Sequence, residues 1–208
     1  DMIYNGAAID KDLSKLQIKN GFLKLIDNNG DKEYDVLLVT DYKTLVLDSV
    51  NLNDEKLVLK FGEPVLNLKD TEYKVYKNNK KATLSDLSKG DVLSVATSVD
   101  GKVIRIDATD ANIMGAVETV TEDGPVISGD EYDVSAYFNT LVQKGKQSAI
   151  RPGDTGKYSL DVMGRIVYST ATVQTAAVGY LVDYKYNDED SDVILRVEIQ
   201  TGNGKIEE

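Results

Sequence analysis

Short apolar runs separated by turn residues make up most of this chain. Val, Ile, Leu, Tyr and Thr are grouped in runs of about 3 to 10 residues with Gly, Asn or Asp between them, a pattern typical of β-strands joined by tight turns. Helical patterns are few and short, at residues 12–16, 84–87 and 135–143, where Ser135 is the expected N-cap. Strands are predicted at residues 22–26, 34–40, 44–50, 57–60, 65–68, 73–76, 92–97, 102–106, 113–120, 126–128, 132–134, 156–162, 165–170, 176–186 and 192–201.

A strand–turn–strand module occurs twice with the same spacing. A Gly-Asp pair opens each copy, at residues 90–91 and 153–154, and a second glycine follows eleven positions after the first, at Gly101 and Gly164. A looser copy runs through residues 21–39. Such repetition indicates that the chain is assembled from similar units rather than built around one pocket.

The repeated module predicts an all-β protein of tandem small β-barrel- or sandwich-like domains with one or two short helices. Each unit would span about 60 to 70 residues, a size at which an isolated domain is marginally stable. Neighbouring units are therefore expected to stack on one another. The polar stretch 107–112 is the best candidate for a linker, and it separates a first β region, 1–109, from a second, 110–208.

The units can be framed in two ways. In one framing, complete units span 42–109 and 110–170, and incomplete units at 1–41 and 171–208 flank them. In the other framing, three units span 1–70, 71–130 and 131–208.

Composition removes several classes of chemistry. The 208 residues include no His, Cys or Trp, so the chain has no proton shuttle of neutral pKa, no Ser-His-Asp triad, no thiolate nucleophile and no ordinary zinc site. Carboxylate pairs, as in glycosidases, remain available. With 35 acidic residues such pairs arise by chance, and we expect no enzymatic activity.

The charge also restricts the partners. A formal net charge of −11 argues against nucleic acid, because binding to phosphates needs a basic face. No apolar run approaches the roughly 20 residues that a membrane-spanning helix needs, so no membrane insertion is expected. Because the chain starts at Asp1 and opens almost directly into a strand-like run, we expect it to be a piece of a longer protein that carries any targeting signal elsewhere.

Three segments carry a family resemblance: residues 25–36, 84–95 and 156–166, the last with Tyr158, Leu160, Asp161, Gly164 and Arg165. Their pattern of turn and strand residues resembles the β-repeat regions of S-layer-type and cell-surface proteins of anaerobic Gram-positive bacteria. Such regions are often attached to S-layer homology domains. No S-layer homology domain is visible in this sequence.

The resemblance implies a secreted, extracellular protein at the bacterial cell surface or cell wall. It implies a non-enzymatic structural or cell-adhesion module. Its expected partners are other domains of the same surface protein or neighbouring copies. Two alternatives stay open: a ligand-binding module for a glycan or a host protein, and a structural protein of a phage particle.

Calcium is the only cofactor that the sequence suggests. Asp27, Asn29 and Asp31 place side-chain oxygens at alternate positions, and Glu33 or Asp35 could close the coordination shell. The loop departs from an EF-hand because the sixth and twelfth positions are Lys and Leu. The competing interpretation is a hydrated Asp/Asn-rich hairpin turn.

A second acidic string occupies residues 187–192. Its alternating Asp188, Asp190 and Asp192 could hold a cation at millimolar affinity. The competing interpretation is a solvated hairpin tip, which is the usual role of a charged run between strands.

Overall fold

A computed structural model describes residues 1–10, 13–172, 179–187, 194–201 and 206–207. These residues form four β-sheets and a single α-helix, so the predicted all-β class is confirmed. The chain divides into two compact units, Asp1–Val173 and Gln174–Glu208. The first unit contains three of the sheets and the helix.

The first sheet has four strands in the order β2-β1-β4-β3. β1 pairs with β4 in parallel, and the β1–β2 and β3–β4 pairs are antiparallel hairpins. β3 is therefore an edge strand. The strands are β1 (Met2–Tyr4), β2 (Ala7–Ile9), β3 (Gly21–Ile26) and β4 (Val36–Asp41).

The second sheet has seven strands in the order β7-β6-β5-β10-β11-β8-β9. The β8–β11 pair is parallel and all other pairs are antiparallel. The strands are β5 (Lys43–Asn51), β6 (Lys56–Leu59), β7 (Leu66–Asn67), β8 (Glu72–Lys77), β9 (Lys80–Ala82), β10 (Val92–Thr97) and β11 (Val103–Thr109).

The third sheet has five strands in the order β14-β13-β12-β15-β16. All of its pairs are antiparallel, and one isolated parallel bridge joins Val134 to Ile166 in the last strand. The strands are β12 (Asn112–Val120), β13 (Pro125–Ile127), β14 (Asp130–Glu131), β15 (Thr155–Leu160) and β16 (Ile166–Ser169).

The second compact unit contains a sheet of order β17-β18-β19, with antiparallel pairs throughout. The strands are β17 (Gly179–Asn187), β18 (Ile194–Thr201) and β19 (Ile206–Glu207).

The helical elements follow the local sequence signals. The α-helix α1 spans Ala136–Gln143, and its N-cap Ser135 accepts a hydrogen bond from the Phe138 N–H at 3.1 Å, as predicted. The other two predicted helices are single 3-10 turns, Leu13–Leu16 and Leu84–Asp86. A third 3-10 turn, Lys60–Gly62, was not predicted.

The predicted strand at 132–134 is not a continuous strand. The Tyr132 N–H bonds to the Pro125 carbonyl, whereas the Ser135 N–H bonds to the Ile166 carbonyl. The backbone changes partner within three residues as it crosses from one side of the third sheet to the other. A regular ladder with one neighbour cannot form there.

The second and third sheets share one order of strand pairing. β5 lies between β6 and β10, and β12 lies between β13 and β15. A bulge follows Leu47 in β5 and Val117 in β12. The 3-10 turn Leu84–Asp86 and the helix α1 occupy the same place in the two orders.

The two smaller sheets match parts of this order. The first sheet, β2-β1-β4-β3, has the pairing of β9-β8-β11-β10, including the one parallel pair. The last sheet, β17-β18-β19, has the pairing of β5-β6-β7, and its bulge follows Leu181 where that of β5 follows Leu47.

Three clusters of buried apolar side chains hold the first compact unit together. One lies within the second sheet and contains Leu45, Leu93 and Ile106. Another lies within the third sheet around Phe138 and Tyr158. The third joins the two sheets, and it contains Val46, Val92, Leu141, Val167 and Tyr168.

Candidate functional site

The predicted calcium residues lie together in the loop between β3 and β4. The Asp27 carboxylate accepts hydrogen bonds from backbone N–H groups of this loop: Oδ1 from Gly30 at 2.6 Å and Asn29 at 3.1 Å, and Oδ2 from Lys32 at 3.0 Å. These donors, the Gly30 N–H first, hold the pKa of Asp27 below its ordinary value. Asp27 thus closes the loop as an ionised acceptor.

The other predicted ligands also bond within the loop. The Asp31 carboxylate accepts from the Glu33 N–H at 2.8 Å and from Asn29 Nδ2 at 2.9 Å. Asp35 Oδ2 accepts from the Asn28 N–H at 2.7 Å. The carboxylates therefore face N–H donors, and calcium would have to displace these donors to reach the same oxygens.

Among the described residues, no three His, Cys, Asp or Glu side chains are arranged to hold a metal ion. The calcium site at Asp27, Asn29, Asp31 and Asp35 stays a prediction. Of the second acidic string, Asn187 is the last residue of β17, and residues 188–192 lie outside the described part of the chain.

Thermal unfolding tests the calcium prediction. Millimolar Ca²⁺ is expected to raise the melting temperature relative to a chelator, because a ligand that binds only the folded state stabilises it. The variant Asp31→Asn should lose this rise, while Glu72→Gln, on β8 of the second sheet, should keep it. An unchanged melting temperature in the wild-type chain would leave the hairpin-turn interpretation.

The repeated Gly-Asp pair forms the same turn in the second and third sheets. Asp91 Oδ2 accepts from the Ser88 N–H at 2.9 Å, and Asp154 Oδ2 accepts from the Arg151 N–H at 2.8 Å. The carbonyls of Asp91 and Asp154 accept from the N–H groups of Leu47 and Val117, each at 2.9 Å. Both aspartates are buried, so the pair fixes where β10 and β15 begin.

One of these turns also carries an ion pair. Lys77 Nζ lies 2.8 Å from Asp91 Oδ2, and both side chains are largely buried. The sequence repeat located this turn but gave no sign that its carboxylates are buried. The spacing of three residues between each aspartate and its N–H donor, at Ser88 and Arg151, is the only signal that could have revealed it.

The second and third sheets meet at a defined contact. Tyr168 Oη donates a hydrogen bond to the Gly90 carbonyl at 2.9 Å, and its ring lies in the apolar cluster with Val46 and Val92. Lys60 Nζ lies 5.0 Å from the centre of the same ring. A Cβ at residue 90 would lie 3.0 Å from Tyr168 Oη, so this contact also favours glycine there.

Two tyrosines at the contact between the second and third sheets differ in whether their hydroxyl groups have a hydrogen-bond partner. Tyr168→Phe is expected to lower the free energy of unfolding by about 0.5–1.5 kcal/mol, because one hydrogen bond is lost. Tyr137→Phe is the matched control, since Tyr137 Oη is buried without a partner and burial raises its pKa to about 12. Removing that hydroxyl should be neutral or stabilising in urea denaturation. Equal losses in both variants would contradict this assignment.

The hairpin between β15 and β16 contains a buried ion pair. Arg165 donates to Asp161 Oδ2 through Nε at 3.0 Å and through Nη2 at 2.6 Å. Asp161 Oδ1 accepts from the N–H groups of Met163 and Arg165. Arg165 Nη2 also donates to Asn20 Oδ1, which ties the third sheet to the segment that precedes β3.

An apolar surface is exposed on β3. Leu23 and Leu25 are 42% and 44% exposed, and Phe22 is 52% exposed. Strand pairing places Leu23 opposite Val39 and Leu93 opposite Ala108, in β4 and β11 respectively. Leu23 thus holds the position in its sheet that Leu93 holds in the second sheet, yet Leu93 is fully buried.

A shallow groove of about 590 Å³ runs beside β8 and is lined by Glu55, Tyr73, Tyr76 and Ser85 among others. Tyr73 Oη donates to Glu55 Oε1 at 2.8 Å, and this bond raises the pKa of Tyr73. The Arg105 guanidinium lies 4.5 Å from the centre of the Tyr76 ring. These contacts engage Glu55 and both tyrosines of the groove.

None of the helices among the described residues is long and apolar enough to cross a membrane. No protein-family model matches the sequence, and a comparison with curated proteins gives no significant match.

Proposed function

We propose that this chain is a non-enzymatic structural or adhesive module of a bacterial cell-surface protein of the S-layer type. It would consist of tandem small β domains with barrel- or sandwich-like form. It would lie outside the cell, and its partners would be other domains of the same protein or neighbouring copies. The observation that carries this proposal is the strand order that the second and third sheets share.

The second and third sheets also share local details of their strands, which supports a common structural unit. β10 and β15 each begin at a Gly-Asp turn with a buried aspartate, and the neighbouring strands β5 and β12 each bulge after the residue that bonds to that turn. The residues around this framework differ: Lys157 of β15 is at the position of Ser94 in β10. A unit that keeps its backbone while side chains at matching positions differ suits a scaffold better than a catalytic site.

The contact between the sheets supports stacking of units. Val46 and Val92 of the second sheet pack against Val167 and Tyr168 of the third sheet and against Leu141 of α1. The hydrogen bond from Tyr168 to Gly90 fixes the orientation at that contact. In a repeat protein, such contacts between neighbours supply much of the stability that small units lack.

The polar side chains support a non-enzymatic role. The best candidate cluster, at Asp27, Asp31 and Asp35, uses its oxygens to close its own loop. Buried carboxylates at Asp91, Asp154 and Asp161 also bond to neighbouring backbone groups. These groups organise turns, and turn-forming carboxylates are not free to take or give protons to a substrate.

Surface labelling tests the proposal. Antibody fragments raised against this chain should label intact cells that make the protein, and brief protease treatment of those cells should remove the label. A cytoplasmic protein probed in parallel should show label only after permeabilisation. This control separates true surface exposure from leaky cells.

The alternatives give different results in the same experiment. Label that appears only after permeabilisation would overturn the surface proposal. Label on purified phage particles would favour the phage alternative. A saturable glycan bound by the purified chain, lost on Tyr73→Ala in the groove beside β8, would favour the ligand-binding alternative.

A further inference from the structure

The first sheet lacks one neighbour that its counterpart has. β3 corresponds to β10 because each lies beside a strand that has a parallel neighbour on its other side. β3 lies beside β4, which pairs in parallel with β1, and β10 lies beside β11, which pairs in parallel with β8. β10 has β5 on its second edge, whereas β3 has no second neighbour among the described strands. An open edge of this kind presents unpaired backbone N–H and C=O groups.

The side chains of β3 agree with a missing neighbour. Leu23 and Leu25 correspond to Leu93 and Val95, which are 0% and 4% exposed in the core of the second sheet. That core is completed by Leu45, Leu47, Leu57 and Leu59, all from β5 and β6. The same two positions in the first sheet stay more than 40% exposed, so the apolar face there is only partly covered.

The last sheet has the form of the missing part. Its order β17-β18-β19 corresponds to β5-β6-β7, and the bulges align Leu181 with Leu47. In this register Val197 and Ile199 of β18 take the places of Leu57 and Leu59. Apolar residues thus occur at three of these four core positions, and Gly179 takes the place of Leu45. β17, like β3, is an edge strand of its described sheet.

We propose that β17 of one copy pairs with β3 of a second copy as an antiparallel strand. This inference rests on the tandem-unit organisation proposed above and names the second copy as the partner. The register follows from the pairing of Val46 with Val92: Tyr180 would lie opposite Phe22. Main-chain hydrogen bonds would bind the strand, and the burial of Leu23 and Leu25 would give specificity.

This interface joins two different surfaces, so each copy keeps one free surface after the first contact. Heterologous contacts that do not close produce open chains rather than dimers. The wild-type polypeptide is therefore expected to form head-to-tail oligomers whose mean mass keeps rising with concentration.

Two sets of variants block one surface each. Leu23→Lys with Leu25→Lys places charges on the acceptor, where both side chains are solvent-accessible in the single copy. Gly179→Pro removes an N–H from the donor. The Leu47 N–H bonds to the carbonyl of Asp91, the residue before β10. Gly179 corresponds to Leu45, two residues before Leu47, so its N–H points toward the same neighbouring strand. Proline is tolerated where a strand edge faces outward. Leu181→Pro serves as a second donor variant.

The experiment is sedimentation equilibrium over a wide concentration range, with circular dichroism to confirm that each variant is folded. Each blocked variant alone should stay monomeric. Their equimolar mixture should form a dimer and nothing larger, because only one competent donor and one competent acceptor remain.

Several outcomes would overturn the inference. These are a monomeric wild-type chain, a donor variant that still associates, and a mixture that stays monomeric. Association of the donor variant would point to pairing between two β3 strands. A negative result in this experiment would not change the surface-labelling result. The strand-pairing proposal and the surface proposal are therefore tested independently.

Discussion

Replacing Leu93 by alanine is expected to lower the free energy of unfolding by about 2–5 kcal/mol, as for other buried leucines. Leu23→Ala, at the corresponding position of the first sheet, is expected to change it by less than about 1 kcal/mol in the monomer. The two residues have the same type and the same place in the strand order. They differ in exposure, 0% against 42%.

The difference has a physical origin in the neighbouring strands. Leu93 contacts the buried side chains of the second sheet, and its removal leaves a cavity that this close-packed cluster fills only in part. Leu23 is partly solvated already, so its truncation removes little buried area. Urea denaturation at low protein concentration, followed by far-UV circular dichroism, measures both values. Equal losses would contradict the correspondence of β3 with β10.

Leu23→Ala also separates folding from assembly. If β17 of a second copy covers Leu23, the variant should weaken association although its monomer is nearly as stable as the wild type. A surface leucine without a partner would affect neither property. The same variant thus reports on the monomer at low concentration and on the interface at high concentration.

Local signals predicted much of the fold. Ser135 is the N-cap of α1, as the sequence predicts. The two glycine pairs spaced by eleven residues mark two hairpins, and Gly101 and Gly164 have positive φ in both turns. Such features depend on a few adjacent residues, so their chemistry can be read from the sequence.

Pairings between distant segments could not be read in the same way. The parallel pair of β1 with β4 joins Ile3 to Leu38, and no turn chemistry records that contact. Burial is equally non-local. Leu23 and Leu93 lie in similar apolar runs, but β5 lies beside β10 and contributes side chains to the cluster that buries Leu93. The framing of the domains rests on these same distant contacts and stays a prediction.

The candidate calcium loop also combines a feature that the sequence predicts with one that it does not. Asp27, Asn29 and Asp31 are in one turn, as the sequence indicated, but the side chains point at N–H groups of their own loop. An Asp/Asn-rich string is compatible with both a cation shell and a self-bonded turn. Which one forms depends on backbone angles such as the positive φ of Lys32, and composition does not encode these.

Asp161→Ala is expected to lower the free energy of unfolding by about 3–5 kcal/mol. The Asp161 side chain is 1% exposed and Arg165 is 19% exposed. Removal of the carboxylate leaves the guanidinium mostly buried without its counter-charge. It also leaves the N–H groups of Met163 and Arg165 without their acceptor. Each loss alone is costly when water cannot replace the partner.

The hairpin between β10 and β11 provides the matched control. There Ser98 takes the place of Asp161, accepting from the Val103 N–H at 2.9 Å, and Lys102 takes the place of Arg165. In that turn Asp100, at the position of Met163, accepts from Ser98 Oγ and from the Lys102 N–H. The double variant Asp161→Ser with Arg165→Lys transfers the Ser and Lys residues into the third sheet and removes the buried ion pair. It should recover more than half of the stability that Asp161→Ala loses, because no buried charge is left unpaired. A double variant as unstable as Asp161→Ala would mean that Arg165 matters through Asn20 instead.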